Sequence, residues 1–234
     1  GDEAVLIDGG GRDHFSKVML KILRTGLKPF QITRLIYSHY DPDICGSLPQ
    51  FEALINSDSL KIISQHENNI FIHSYSSKIE MLDYRDMDNH FDFATGRRLE
   101  FYATPYCHHT GSFVTYDTKT KTLFSSDLFG SFDYEWTLFL NLKDECRNCP
   151  VADPCPYGWP VCDIKGLKEF HQKVMTSSLA AAYALDLVES LDIDRIAPQH
   201  GSIITTKEDV KTVIRYLKSV KNVGINFFMS GEKE

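Results

Sequence analysis

Long apolar runs are missing from this chain of 234 residues: none approaches the roughly 18 residues that a membrane-spanning helix needs. The start, GDEAVLIDGG, lacks the charged opening and long apolar centre of a signal peptide, so a soluble, cytoplasmic chain is expected. Basic clusters are missing as well. The 25 Lys and Arg residues are scattered among 32 Asp and Glu, for a net charge of −7, and no stripe of them matches a phosphate backbone. Neither a membrane nor a nucleic acid is an expected partner. No repeat, low-complexity tract or linker interrupts the chain, so residues 1–234 are expected to form a single domain.

What is present, with 42% hydrophobic residues, is an α/β pattern. EAVLID reads as a strand ending in Asp8-Gly9-Gly10, and Phe15, Val18, Met19, Ile22 and Leu23 recur at helical spacing over residues 13–27. ITRLIYS is a second strand, SLPQFEALIN a helix and LKIISQ a third strand. Residues 69–92 are polar and mixed and take no assignment. RLEFYATP and SFVTYDTKTKTLFSSD follow as β pieces, with DTKTK as a turn. Residues 130–164 hold four of the nine prolines and read as a long irregular insertion. One helix is predicted over 166–191, with Leu167, Phe170, Val174, Leu179, Tyr183, Leu187 and Leu191 on its stripe. IDRIAPQHG is a strand and turn, TKEDVKTVIRYLKSV a last helix capped by Thr205 or Thr206, and GEKE a solvated tail.

Metal-capable side chains gather at the strand ends. HYDPD carries His39, Asp41 and Asp43; His108 stands in TPYCHHTGS, Asp127 in LFSSDLFG and His200 in APQHGS. Each segment follows an apolar or β-like run and has a Gly nearby, so all four fit one sheet edge, where open α/β sheets place their chemistry. Alone, HYDPD reads equally well as an Asp-rich turn shaped by Pro42. Taken together, three imidazoles and three carboxylates are enough for two cations with an aspartate bridging them, and cations offset the repulsion among crowded carboxylates. His14, His66, His73, His90 and His171 read as surface or local hydrogen-bonding residues. Cys45, Cys107, Tyr40 and Tyr106 read as packing beside the cluster.

The H-x-[ED]-x-D spacing of HYDPD, the His108 to Asp127 spacing and the late PQHG together resemble the diiron module of flavodiiron proteins, a branch of the metallo-β-lactamase superfamily, over residues 4 to 205. The resemblance implies a metallo-β-lactamase-like αββα sandwich, two mixed sheets flanked by helices with a metal pair at the sheet edge. It assigns His39, Asp41 and His108 to the first iron, Asp43 and His200 to the second, and Asp127 to the bridge. His108 is preferred to His109 because the family's ligand stands four residues before the serine that is Ser112 here. His109 then falls in the pocket with Tyr40 and Ile44. Two positions depart from the family: Asp41 replaces the usual Glu, and Ile44 stands where a second-site His is common, which leaves an open position for a small diatomic ligand.

Residues beyond 205 offer no room for a flavodoxin domain, and the chain begins at what would be the family's second strand, as a fragment does. The resemblance therefore points to stand-alone oxygen-binding diiron proteins. The expected function is to bind dioxygen as a sensor or carrier, or to reduce O2 or NO with an external electron donor. A redox or signalling protein partner and a homodimer follow from the same resemblance. The alternative is a hydrolase with two zinc ions. Those members place a second His where Asp41 stands, and a carboxylate there suits iron better than zinc.

Cys146, Cys149, Cys155 and Cys162 form C-x2-C-x5-C-x6-C in the insertion at about 140–165. Without a signal peptide this suggests a zinc or iron-sulfur site before disulfides.

Overall fold

The computed structural model describes residues 3–75, 78–132, 137–149, 155–160, 162 and 164–231. The chain divides into two compact units, residues 1–102 with 110–115, and residues 103–109 with 116–234.

The first unit opens with β1 (Ala4–Ile7), α1 (Phe15–Arg24), β2 (Ile32–Ile36), α2 (Pro42–Cys45), α3 (Leu48–Ile55), β3 (Lys61–Ser64), α4 (His66–Ile72) and β4 (Glu80–Asp83). These four strands form a sheet in the order β1-β2-β3-β4, and every neighbouring pair is parallel. Parallel strands are covered on both faces, and the sequence shows it: Leu35 and Ile62 belong to one core cluster, and their neighbours Ile36 and Ile63 to another. The first cluster takes in the apolar stripe of α1 through Phe15, Val18 and Ile22, together with Leu48 and Phe51 of α3. The second joins Tyr84, Phe91, Leu99, Phe101 and Phe113, from β5 (His90–Asp92), β6 (Arg98–Ala103), β7 (Phe113–Asp117) and the turn before them. The unassigned stretch 69–92 thus holds the end of α4, then β4 and β5. Each is too short to show a period, and β4 is an edge strand with a single neighbour.

In the second unit, β8 (Thr122–Ser126), β9 (Phe139–Leu140), α5 (Asp144–Arg147), α6 (Lys165–Val174), α7 (Ser178–Glu189), β10 (Arg195–Pro198), β11 (Ile203–Ile204), α8 (Lys207–Ser219) and α9 (Ile225–Ser230) follow in order. Its strands lie as β8-β10-β11-β9, with β8 and β10 parallel and β10 and β11 antiparallel.

The single helix predicted over 166–191 is two helices. Met175 is extended (φ −66°, ψ 151°), and the side chain of Ser177 accepts the Ala180 N–H to start α7. Thr176-Ser177-Ser178 favours a cap over a helix interior because hydroxyls compete for backbone partners. Leu179 and Tyr183, placed on the buried stripe by a continuous helix, are 81% and 53% exposed. Thr206 caps α8 as expected, accepting the Asp209 N–H at 3.1 Å. Residues 232–234 of the expected tail, and 150–154, 161 and 163 of the insertion, lie outside the described residues. Among the described residues no helix is long and apolar enough to cross a membrane.

Candidate metal centre

In the first unit the C-terminal ends of three parallel strands emerge side by side, so the residues after β1, β2 and β3 meet at one edge. Asp8, just past β1, bends in the left-handed region (φ 49°) and aims its carboxylate at the turn after β2. It accepts the Ser38 N–H at 2.9 Å and the Ser38 hydroxyl at 3.0 Å. His39 follows, with only 1% of its side chain exposed, and its Nε2 lies 3.7 Å from Asp41 Oδ2. Asp41 is also the residue that begins α2, its carbonyl accepting the Ile44 and Cys45 N–H groups, with Pro42 at the first helical position. The Cys45 thiol donates to the His39 carbonyl at 3.3 Å, and burial first, then Asp8, raises its pKa, so it packs as a neutral thiol. Asp43 is exposed and lines a cavity of about 830 Å3 with Arg12, His14, Gln50 and Tyr75.

In the second unit β8 and β10 run parallel, Ser126 pairs with Pro198, and the Gln199 N–H donates to the Ser126 carbonyl at 2.8 Å. That pairing puts the next residue of one strand, Asp127, beside the turn that carries His200. Asp127 is 3% exposed; its Oδ2 lies 3.5 Å from His108 Nε2 and its Oδ1 lies 3.7 Å from His200 Nε2. These separations exceed a hydrogen bond. They suit donors around shared cations, because two ligands each about 2.1 Å from one ion sit about 3–3.5 Å apart. One oxygen of Asp127 faces each imidazole, the arrangement of a bridging carboxylate.

The backbone here is strained. Tyr106 (φ 61°), Ser126 (φ 52°) and Phe129 (φ 69°) occupy the left-handed region, which costs roughly 1–3 kcal/mol each and clusters at functional sites. His171 holds one of these positions. Fully buried on α6, it fixes its Nδ1 on the Leu167 carbonyl at 2.7 Å and accepts the Phe129 N–H at Nε2, 3.1 Å. Burial lowers its pKa to about 4, so it stays neutral and able to accept. Of the two readings open to it in the sequence, surface or local hydrogen bonding, the bond to Leu167 four residues earlier matches the second. Only its place on the apolar face of α6, one position after Phe170, hints at burial.

The remaining expectations divide. His109 lies edge to face with His108, ring centroids 4.3 Å apart. Tyr40 stacks on the half-exposed Phe71 at 4.3 Å. Ile44 has an exposure of 0% and packs in the first unit's core with Leu35, Leu48 and Phe51. His90 sits at the surface, its Nδ1 3.0 Å from the Asp88 carbonyl. Burial raises Cys107 to about 12, a packing thiol.

Among the described residues no disulfide joins Cys146, Cys149, Cys155 or Cys162, and no three of them come within metal-ligand distance of one another. Cys149 and Cys162 lie near the Tyr216 phenol, whose pKa is raised by burial and then by these two thiols.

Solved structures share this fold. The chemotaxis sensor ODP from T. denticola, in its apo state, aligns with a TM-score of 0.77 at 22% identity, covering 98% of this chain and 85% of that one. A structure described as the peroxy diiron species of chemotaxis sensor ODP gives 0.77 at 19% identity, covering 98% and 87%. A flavo di-iron protein from Thermotoga maritima gives 0.74 at 22%, covering 93% and 50%. The fold is the metallo-β-lactamase-like one, two sheets flanked by helices. Among curated proteins, the flavo-diiron protein FprA2 of Clostridium acetobutylicum is 25% identical over 208 residues, 88% of this chain and 48% of that protein. The anaerobic nitric oxide reductase flavorubredoxin of Salmonella paratyphi B is 25% identical over 221 residues, 93% and 42%. The chain spans about half the length of these relatives or less. A family model described as ODP family beta lactamase matches residues 1–201, and the chain belongs to that family.

Proposed function

We propose that this chain is a non-haem diiron protein that binds dioxygen, as a sensor or carrier, or as a reductase of O2 or NO where a partner protein supplies electrons. His39, Asp41, Asp43, His108, Asp127 and His200 are its proposed ligands, with Asp127 as the bridge. The carrying observation is the Asp127 carboxylate with one oxygen turned to each of two imidazoles. A single ion needs no such division. The donor set fits iron: carboxylate oxygen and imidazole nitrogen, with Asp41 where the zinc hydrolases place a second imidazole. Iron held by these residues would, when reduced, supply electrons to a small diatomic ligand.

The protein's own groups do the rest. Burial of His39 and Asp127 keeps bulk water from those two donors, and carboxylates accommodate changes in metal charge. The names of the relatives support the reading: a flavo-diiron protein, a nitric oxide reductase, and a chemotaxis sensor seen as a diiron species. The cytoplasmic setting and the homodimer are proposed from the same likeness. So is the single domain, which one family model spanning both units supports.

The test is metal analysis of anaerobically prepared protein, followed by exposure of the reduced protein to air. Two irons per chain and a new charge-transfer absorption are expected. Zinc alone, with no absorption change, overturns the proposal in favour of the hydrolase.

A further inference from the structure

We infer that Asn68 is a positioning residue for this centre, fixing the turn that carries His39 against the chain segment that follows His108; the inference rests on the diiron reading above. Asn68 lies on α4 with 0% exposure. Its Nδ2 donates to the Gly111 carbonyl at 2.7 Å, the Ser64 hydroxyl at 3.1 Å and the Ser38 carbonyl at 3.4 Å. Those acceptors come from three places: the end of β3, the turn after β2, and the loop leading into β7. Ser38 is the residue before His39, and Gly111 stands three residues after His108. The Phe113 N–H closes the same junction, donating to the Ser38 carbonyl at 3.3 Å.

The consequence for Ser38 is complete fixation. Asp8 holds its N–H and its hydroxyl, while Asn68 and Phe113 hold its carbonyl. His39 therefore leaves a residue with no polar group left to swing. Three acceptors on one side also settle the Asn68 amide, whose nitrogen must face them. Its Oδ1 turns toward Gly111 and the Gln65 amide: the Gln65 amide oxygen is 2.7 Å from where a Cβ on Gly111 would sit, and Asn68 Oδ1 is closer still. Glycine at 111 is what allows this approach, since a Cβ there would lie 2.8 Å from Asn68 Cγ.

Packing alone does not explain the residue. Ile72, one turn on, is fully buried in the apolar core, and a Leu at 68 would fill similar volume without a polar group to satisfy. An asparagine earns its burial only through the carbonyls it holds. Outer residues that orient metal ligands typically change metal affinity about 10–100-fold when removed.

The test compares Asn68→Ala with Ser64→Ala, which removes the bonds of the Ser64 hydroxyl to Asn68 and to the Tyr37 carbonyl but leaves the Asn68 bonds to the Ser38 and Gly111 carbonyls in place. Iron release from anaerobic protein to a chelator and the charge-transfer absorption of the oxidised protein are measured. Asn68→Ala is expected to release iron roughly tenfold faster or more and to shift the band, while Ser64→Ala lowers only the thermal midpoint. Wild-type release and an unmoved band in Asn68→Ala overturn the inference. If that variant does not fold, Asn68→Ser, which keeps a hydroxyl donor, is read in the same way. A wild-type protein that takes up no iron fails the diiron reading instead, and amide exchange then decides: faster exchange at Phe113 in Asn68→Ala but not in Ser64→Ala upholds the role of Asn68, and equal exchange in both removes it.

Discussion

Asp127 and His171 act on the same segment, the first through its carboxylate and the second through a backbone bond at Phe129. Replacing Asp127 by Asn keeps the size but removes the charge and one of the two acceptor oxygens. Iron content is therefore expected to fall from two per chain to one or fewer, measured by metal analysis; retention of both irons removes the bridge from Asp127. His171 makes a different prediction. Its folded pKa of about 4 lies below the ordinary 6.5, so the unfolded chain binds its proton first. The stability it contributes is complete above about pH 6.5 and is lost as pH falls toward 4, by about 3 kcal/mol in all. Chemical denaturation of the apo protein at pH 7 and pH 4.5, compared with His171→Gln, reads this directly. The wild type should lose more stability than the variant across that interval, and equal losses would sink the assignment. The sequence does not show what His171 and Asn68 hold in place, because the Phe129 N–H and the Ser38 and Gly111 carbonyls lie 42, 30 and 43 residues from them. The ligand candidates were legible for the opposite reason: polar residues at the ends of apolar strands stand out from their own neighbours.

At the scale of elements, strand ends rather than helices carry the chemistry, and the reason is topological. β1, β2 and β3 are parallel, as are β8 and β10, so each group delivers its following residues to one edge. Those strands were readable from β-branched runs such as ITRLI and KIIS. The break between α6 and α7 was not, because the apolar spacing continues across it: Val174 and Leu179 fit one stripe on paper, yet the hydroxyl of Ser177 captures the Ala180 N–H and starts a new axis. Ser177→Ala is expected to cost about 1 kcal/mol, the usual worth of such a cap, in equilibrium denaturation. Leu179→Lys, at an 81% exposed position, is expected to change stability by less than about 0.5 kcal/mol. A continuous helix with Leu179 in its core would reverse the two results.

For the whole molecule, the division into two units was illegible in the sequence, because no linker marks it: the chain crosses between them through residues 103–116, a stretch of ordinary strand and loop composition. The diiron proposal carries a consequence for the stability of the whole chain. A ligand that binds only the folded state stabilises it by about 4 kcal/mol at a thousandfold excess over its dissociation constant, worth on the order of 10 °C in a chain of this length. Chelation should therefore lower the melting temperature of iron-loaded protein by about that much. Where the loss appears is the sharper measurement. With all six proposed ligands engaged, hydrogen exchange should quicken both at the His39 turn and at the segment after Ser126 when iron is removed. Were the second unit to hold the metal with His108, Asp127 and His200 alone, exchange would quicken there and leave the His39 turn unchanged, and His39, Asp41 and Asp43 would cease to be ligands.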